Sequence, residues 1–127
     1  MKITDLRVFH TSGGHANWIF VKLYTDEGIT GVGESTMERH DAVIIQALES
    51  FKDFLIGQDA HQIEYIWNSL YKQTFWYGQL ISLAALSGIE QALWDIKGQA
   101  LGVPIYELLG GRLRNEVRVY SNAWAFQ

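Results

Sequence analysis

Residues 92–111 read ALWDIKGQALGVPIYELLGG, and the rest of the chain is best understood outward from them. Leu93, Ile96 and Ala100 continue an apolar stripe that starts at Ile89, the spacing of one helix face. Gly102 followed by Pro104 closes that helix and opens a short one, because glycine caps a helix end and proline suits the first turn of the next. Gly110 and Gly111 stop the short helix. The segment that follows, Val117 to Asn122, reads as a strand with Val117 and Val119 on one side.

Toward the N-terminus, the main helix extends back to near Gln79, giving a span of about 79 to 101. Ala84, Ala85, Gly88 and Ala92 form a strip of small residues beside its stripe, so neighbouring axes can approach closely and this helix is central to the bundle. Ile63, Ile66, Trp67 and Leu70 line a preceding helix, opened by Asp59 and Gln62 in the spacing of a capping box. Ile44, Leu48, Phe51 and Leu55 line another, which begins after Asp41 and ends at Gly57.

Before Asp41 the period is two. Residues 2–10 place Leu6 and Val8 on one face, residues 18–25 place Ile19, Val21 and Leu23 on one face, and Ile29 to Gly33 form a third run. Thr25-Asp26-Glu27-Gly28 suits a tight reversal between the last two. Gly31 and Gly33 fall on one side of the third strand, leaving room there for another backbone. The expected fold is α+β, a three-stranded antiparallel sheet followed by a helical bundle. One domain covers residues 1–115, and residues 116–127 form a separate strand with the start of its loop.

Composition narrows the partners. The chain has 127 residues, 48% of them hydrophobic and 13% aromatic, enough for one packed core. Its net charge of −4, without a basic cluster, argues against nucleic acid and anionic membrane. No window approaches the ~20 apolar residues of a membrane span, and the N-terminus lacks a sustained apolar run of the signal-peptide kind. With no cysteine, there is no disulfide framework or thiolate site, and a cytoplasmic setting is expected.

Catalytic groups are scarce. His10, His15, His40 and His61 show no spacing that puts two imidazoles on one metal, so no metal ligand is assigned and solvated or capping roles are expected. Glu34 and Glu38 could form a carboxylate pair at the end of the third strand, although loop charges of this kind are commonly solvated. Asp95 and Lys97 sit on a mostly apolar helix, where charge usually ties elements together. Two connections remain as ligand-facing candidates. One is the glycine-rich loop from His10 to Asn17, with the makings of a flap; the other is the aromatic run Thr74 to Gly78 around Trp76.

Read together, MKITDLRVF, YTDEGITGVGE, FLIGQDAHQIEYIWNSLY and LSGIEQALWDIKGQALGVPIYELLGG resemble the N-terminal capping domain of the enolase superfamily, in its mandelate racemase and muconate lactonizing enzyme branch. They look most like the galactonate and mannonate dehydratase group. The resemblance covers essentially the whole chain. It implies a capping domain whose loops close over the substrate of a modified (β/α)8 barrel, with Val117 to Asn122 as the first barrel strand and the rest of the barrel expected beyond Gln127.

The resemblance further implies magnesium held by barrel carboxylates, and barrel bases that remove the proton α to a carboxylate and assist loss of the β-hydroxyl as water. A metal stabilises charge developing on the enediolate oxygens. No catalytic or metal residue can then be assigned within this chain. What carries over is substrate contact: His15, Asn17 and Trp18 in the Thr11–Trp18 specificity loop, Trp76 in the aromatic connection, and Asn122. The mannonate dehydratase pattern has histidine at the position of Asn122 and asparagine at that of Glu38, so both departures tell against mannonate.

The expected function is the substrate-capping and specificity domain of a magnesium-dependent sugar-acid dehydratase, a hydro-lyase, inactive when alone. Its expected partners are an acid sugar, its own C-terminal barrel and further copies of itself in a homo-oligomer. Racemisation, epimerisation or cycloisomerisation on the same scaffold, and a stand-alone binding module with this fold, are the alternatives.

Overall fold

The computed structural model describes residues 1–14, 16–73 and 80–120. The period-two segments form β1 (Ile3–Ser12), β2 (Asn17–Thr25) and β3 (Thr30–Glu34), an antiparallel sheet in the order β1-β2-β3. The 3.6-period segments form α1 (Asp41–Leu55), α2 (Ile63–Gln73) and α3 (Leu80–Leu101), followed by the single-turn α4 (Ile105–Leu108). This is the α+β architecture expected from the sequence.

The core lies between one face of the sheet and the three long helices. Ile19, Val21 and Leu23 from β2, Leu6 from β1, and the full α1 stripe of Ile44, Leu48, Phe51 and Leu55 are buried there, with Ile63, Ile66 and Leu70 from α2. Each such Leu or Ile removed from water contributes roughly 1.5–3 kcal/mol before entropy is counted. Ile3 and Leu6 are both buried although three positions apart, because the β1–β2 register slips between Ile3 and Asp5. A bulge there puts both on the core face, which strict alternation forbids.

β3 is an edge strand, and α3 covers its edge. Gly31 and Gly33 face the helix so closely that a methyl group on either would collide with the carbonyl oxygen of Ala92 or of Gly88; one on Gly88 would strike Ser35 Oγ. Gln91, Asp95 and Gln99, four residues apart on α3, then reach the free side of β3. Val32 N donates to Asp95 Oδ2 (2.9 Å), Glu34 N to Gln91 Oε1 (3.1 Å), and Gln99 Nε2 to the carbonyl of Thr30 (2.8 Å). Asp95 thus ties helix to sheet, in the architectural role expected of it. Lys97 lies over the Trp94 ring at 5.4 Å. The opposite edge is held by α1, whose Lys52 Nζ donates to Leu6 O (3.1 Å) and pairs with Asp5 (2.7 Å).

Two sequence expectations need correction. Ala100 is exposed, and Gly98 is the last buried residue of the helix, because the chain folds back on the helix end: Val103 N donates to Gly98 O (3.0 Å). Asp59 does not form the capping box. Its Oδ1 accepts from His61 N (3.1 Å), and α2 starts at Ile63, one turn later. Val117 to Tyr120, expected as a strand separate from this sheet, pair with no strand among the described residues and are exposed, Val119 to 84%. A strand needs a neighbour for its backbone groups, and the sheet's β3 edge is already covered by α3. Residues 121–127 lie outside the described residues.

Two stability predictions follow from this packing. Gly33→Ala forces α3 away from β3 and is expected to cost about 2–3 kcal/mol in urea unfolding of the chain, as overpacking does; an unchanged midpoint would rule out the close contact. The second concerns Asp5, whose carboxyl is held down to about 2 by its hydrogen bonds to Lys52 and then Arg7. The folded-state value lies below the unfolded one of ~3.9, so the stabilisation is fully present above that value and disappears as pH falls toward 2. The stability gap between the natural chain and Asp5→Asn should be full at pH ~6 and close between pH ~4 and ~2. A gap that persists at the acid end would show that the ion pair is not its source.

Candidate functional site

β2 outruns β3. The last β2–β3 pair is Phe20 with Glu34, and beyond it Ser35 N donates to Ile19 O (2.8 Å) while Ile19 N donates to Thr36 Oγ1 (3.0 Å). The β3–α1 connection is therefore carried along β2 toward the β1–β2 loop, itself closed by Gly13 N donating to Ala16 O (2.7 Å). Between the two connections is a polar cleft of about 200 Å³ lined by Gly14, Ala16, Asn17, Glu38, Arg39 and Asp41.

Asp41, the first residue of α1, organises the cleft floor. Its Oδ2 accepts from Asn17 Nδ2 (2.6 Å) and from His10 Nε2 (3.2 Å). The Asn17 bond, followed by that of His10, holds the Asp41 carboxyl below the usual carboxylate range. Glu38 and Arg39 form the facing wall and are exposed. Arg39 has φ 64°, a left-handed conformation uncommon for a residue with a side chain, and His40 Nδ1 donates to the Glu38 carbonyl (2.9 Å). An amide, a carboxylate and a guanidinium on one small cleft offer donors and acceptors suited to a polyhydroxylated ligand.

Of the ligand-facing residues expected from sequence, Asn17 lines the cleft. Trp18, next in β2, points to the other side of the sheet, and its indole lies against Gly13 rather than in the cleft. His15, Trp76 and Asn122 lie outside the described residues. Glu34 does not line the cleft, its backbone being engaged by Gln91, so the structure does not place it with Glu38 as a working pair. Arg39 and Asp41 were not singled out by sequence: one is a lone loop cation and the other looks like an ordinary helix-start acid.

A larger space of about 470 Å³ lies where α3 meets α4, lined by Gly98, Val103, Pro104, Ile105 and Tyr106 among others. Its walls are mainly apolar, and Asp95 on its edge is already bonded to Val32, so the polar cleft is the better candidate site. Among the described residues, no group of three or more His, Cys, Asp or Glu could hold a metal ion. Nor is any helix among them long and apolar enough to cross a membrane.

Comparison with known proteins places this geometry. Residues 2–110 match the family described as mandelate racemase / muconate lactonizing enzyme, N-terminal domain. The chain is 46% identical over 121 residues to the D-galactonate dehydratase of Variovorax paradoxus, and equally to that of Pectobacterium atrosepticum. Each alignment covers 95% of this chain and 31% of the relative, so the chain spans about a third of the length of these proteins.

Among solved structures, an enolase from Pantoea ananatis with bound D-gluconate and magnesium superposes with a TM-score of 0.85 at 40% identity, over 89% of this chain and 28% of that one. An enolase from Agrobacterium radiobacter, a putative galactarate dehydratase with bound sodium and L-malate, gives 0.88 at 38% identity, over 94% and 30%. The chain belongs to the N-terminal domain family of the mandelate racemase and muconate lactonizing enzyme branch of the enolase superfamily.

Proposed function

We propose that this chain is the substrate-capping and specificity domain of a magnesium-dependent sugar-acid dehydratase. The observation that carries the reading is the polar cleft of Asn17, Glu38, Arg39 and Asp41, built by two connections at one end of the sheet in a domain whose relatives are D-galactonate dehydratases. In such a cleft the Asn17 amide, Glu38 carboxylate and Arg39 guanidinium would hydrogen-bond the hydroxyls of an aldonate or aldarate, orient its chain and exclude water around it.

The described residues do not fit a magnesium site, for want of a carboxylate cluster. Metal binding and the removal of the α-proton are therefore assigned to a barrel outside residues 1–127. The exposed apolar run supports a covered surface at this end: Leu109, Leu113, Val117, Val119 and Tyr120 are all at least 66% exposed, more than a self-contained domain of this size ordinarily leaves in one segment. A barrel that follows in the same protein is the proposed cover, and assembly into a homo-oligomer belongs to the same proposal.

The reading predicts that the 127-residue chain with magnesium and D-galactonate or D-gluconate forms no 2-keto-3-deoxy acid, whereas a protein joining it to its barrel does. Turnover by the chain alone would overturn the division of roles. Within the joined protein, Glu38→Ala is expected to raise KM about three- to tenfold, the worth of one hydrogen bond to substrate, with a smaller change in kcat. Equal KM values for Glu38→Ala and the natural protein across aldonates and aldarates would remove the cleft as a specificity element.

A further inference from the structure

We propose that Asp41 is the positioning residue that fixes the β1–β2 loop as one wall of the cleft. The geometry is specific. A single carboxylate oxygen accepts from Asn17 Nδ2 at 2.6 Å and His10 Nε2 at 3.2 Å. His10 lies on β1, paired with Ile19, and Asn17 is the first residue of β2, paired with Ser12. The two donors thus stand on the two strands that enter and leave the loop, and one oxygen binds both to the start of α1.

No other described hydrogen bond joins this loop to a helix. Within the loop, Gly13 N donates to Ala16 O and Gly14 N to Ser12 Oγ (3.4 Å), bonds that close the loop on itself at the end of the β1–β2 ladder and do not reach a helix. The connection carrying Glu38 and Arg39 is secured separately, through Ile19 to Ser35 and Thr36. Both walls are thus tied to β2, and of the described hydrogen bonds only those of Asp41 hold the loop to the start of α1. The Asn17 bond is short and made to a carboxylate, a stronger acceptor than a neutral oxygen, so its loss is expected to shift a local opening equilibrium by about tenfold.

The structural part of this inference stands by itself; its consequence for substrate rests on the capping role proposed above. Hydrogen exchange of the 127-residue chain, followed by mass spectrometry, tests the structural part. In Asp41→Ala, peptides covering residues 10–18 should exchange about tenfold faster while those covering 19–25 and 86–101 keep their natural rates. Asp41→Asn retains an acceptor oxygen for the Asn17 amide and should recover part of the protection.

A loop exchanging at its natural rate in a folded Asp41→Ala chain overturns the proposal. Should that variant fail to fold, Asn17→Ala leaves the helix start intact and is read the same way: acceleration confined to the loop supports the clamp, and a natural rate overturns it. In the protein joined to its barrel, Asp41→Ala is expected to raise KM for an aldonate about tenfold with kcat changed less than twofold, and Asp41→Asn to lie between. Faster loop exchange with an unaltered KM would leave the clamp standing and overturn the capping role instead.

Discussion

The contact of α3 with β3 is the constraint on which the rest of the structure depends. Carbonyl oxygens of Ala92 and Gly88 sit where side chains of Gly31 and Gly33 would be, and that proximity alone lets Gln91, Asp95 and Gln99 reach the backbone of the sheet edge. The helix stands in for a fourth strand, satisfying edge groups that would otherwise invite pairing with another chain. With α3 seated, its buried Ile89, Leu93 and Ile96 complete the core against α1 and α2.

The same seating places the cleft. Because β3 stops at Glu34 while β2 runs on toward Asn17, the chain leaving β3 must travel beside β2 before turning into α1. That detour brings Glu38 and Arg39 opposite the β1–β2 loop and puts Asp41 under it. The left-handed φ of Arg39 lies in this turn, at the cleft itself. The apolar surface from Leu109 to Tyr120 is at the other junction, on both sides of the paired left-handed glycines Gly110 and Gly111.

Much of the fold was legible because it depends on local periodicity. The stripe of Ile44, Leu48, Phe51 and Leu55 is fully buried, as is the alternation of Ile19, Val21 and Leu23, and the glycines of β3 meet a helix backbone as their spacing implied. Misreadings arose where another force outweighed the pattern. The return of Val103 to Gly98 displaced Ala100, and Asp59 spent its carboxylate on an Asx turn instead of a helix cap. The apolar pattern of Val117 to Tyr120 is that of a strand, yet pattern records only an inclination to pair, and no described strand lies beside it.

The candidate site was legible only in part. Asn17 and Glu38 stood out as polar residues in loops, but nothing in the spacing of His10, Asn17 and Asp41 announces that they meet. The sequence determined the order and type of the elements, the buried face of each and the family, since these follow from burial and backbone preference along single segments and from motifs read in line. Only the tertiary structure decided which loops share a cleft, that Trp18 faces away from it, and that one carboxylate joins two strands to a helix. Such contacts link residues 24 and 31 positions apart, and their distances are set by the packing of whole elements, which no local pattern encodes.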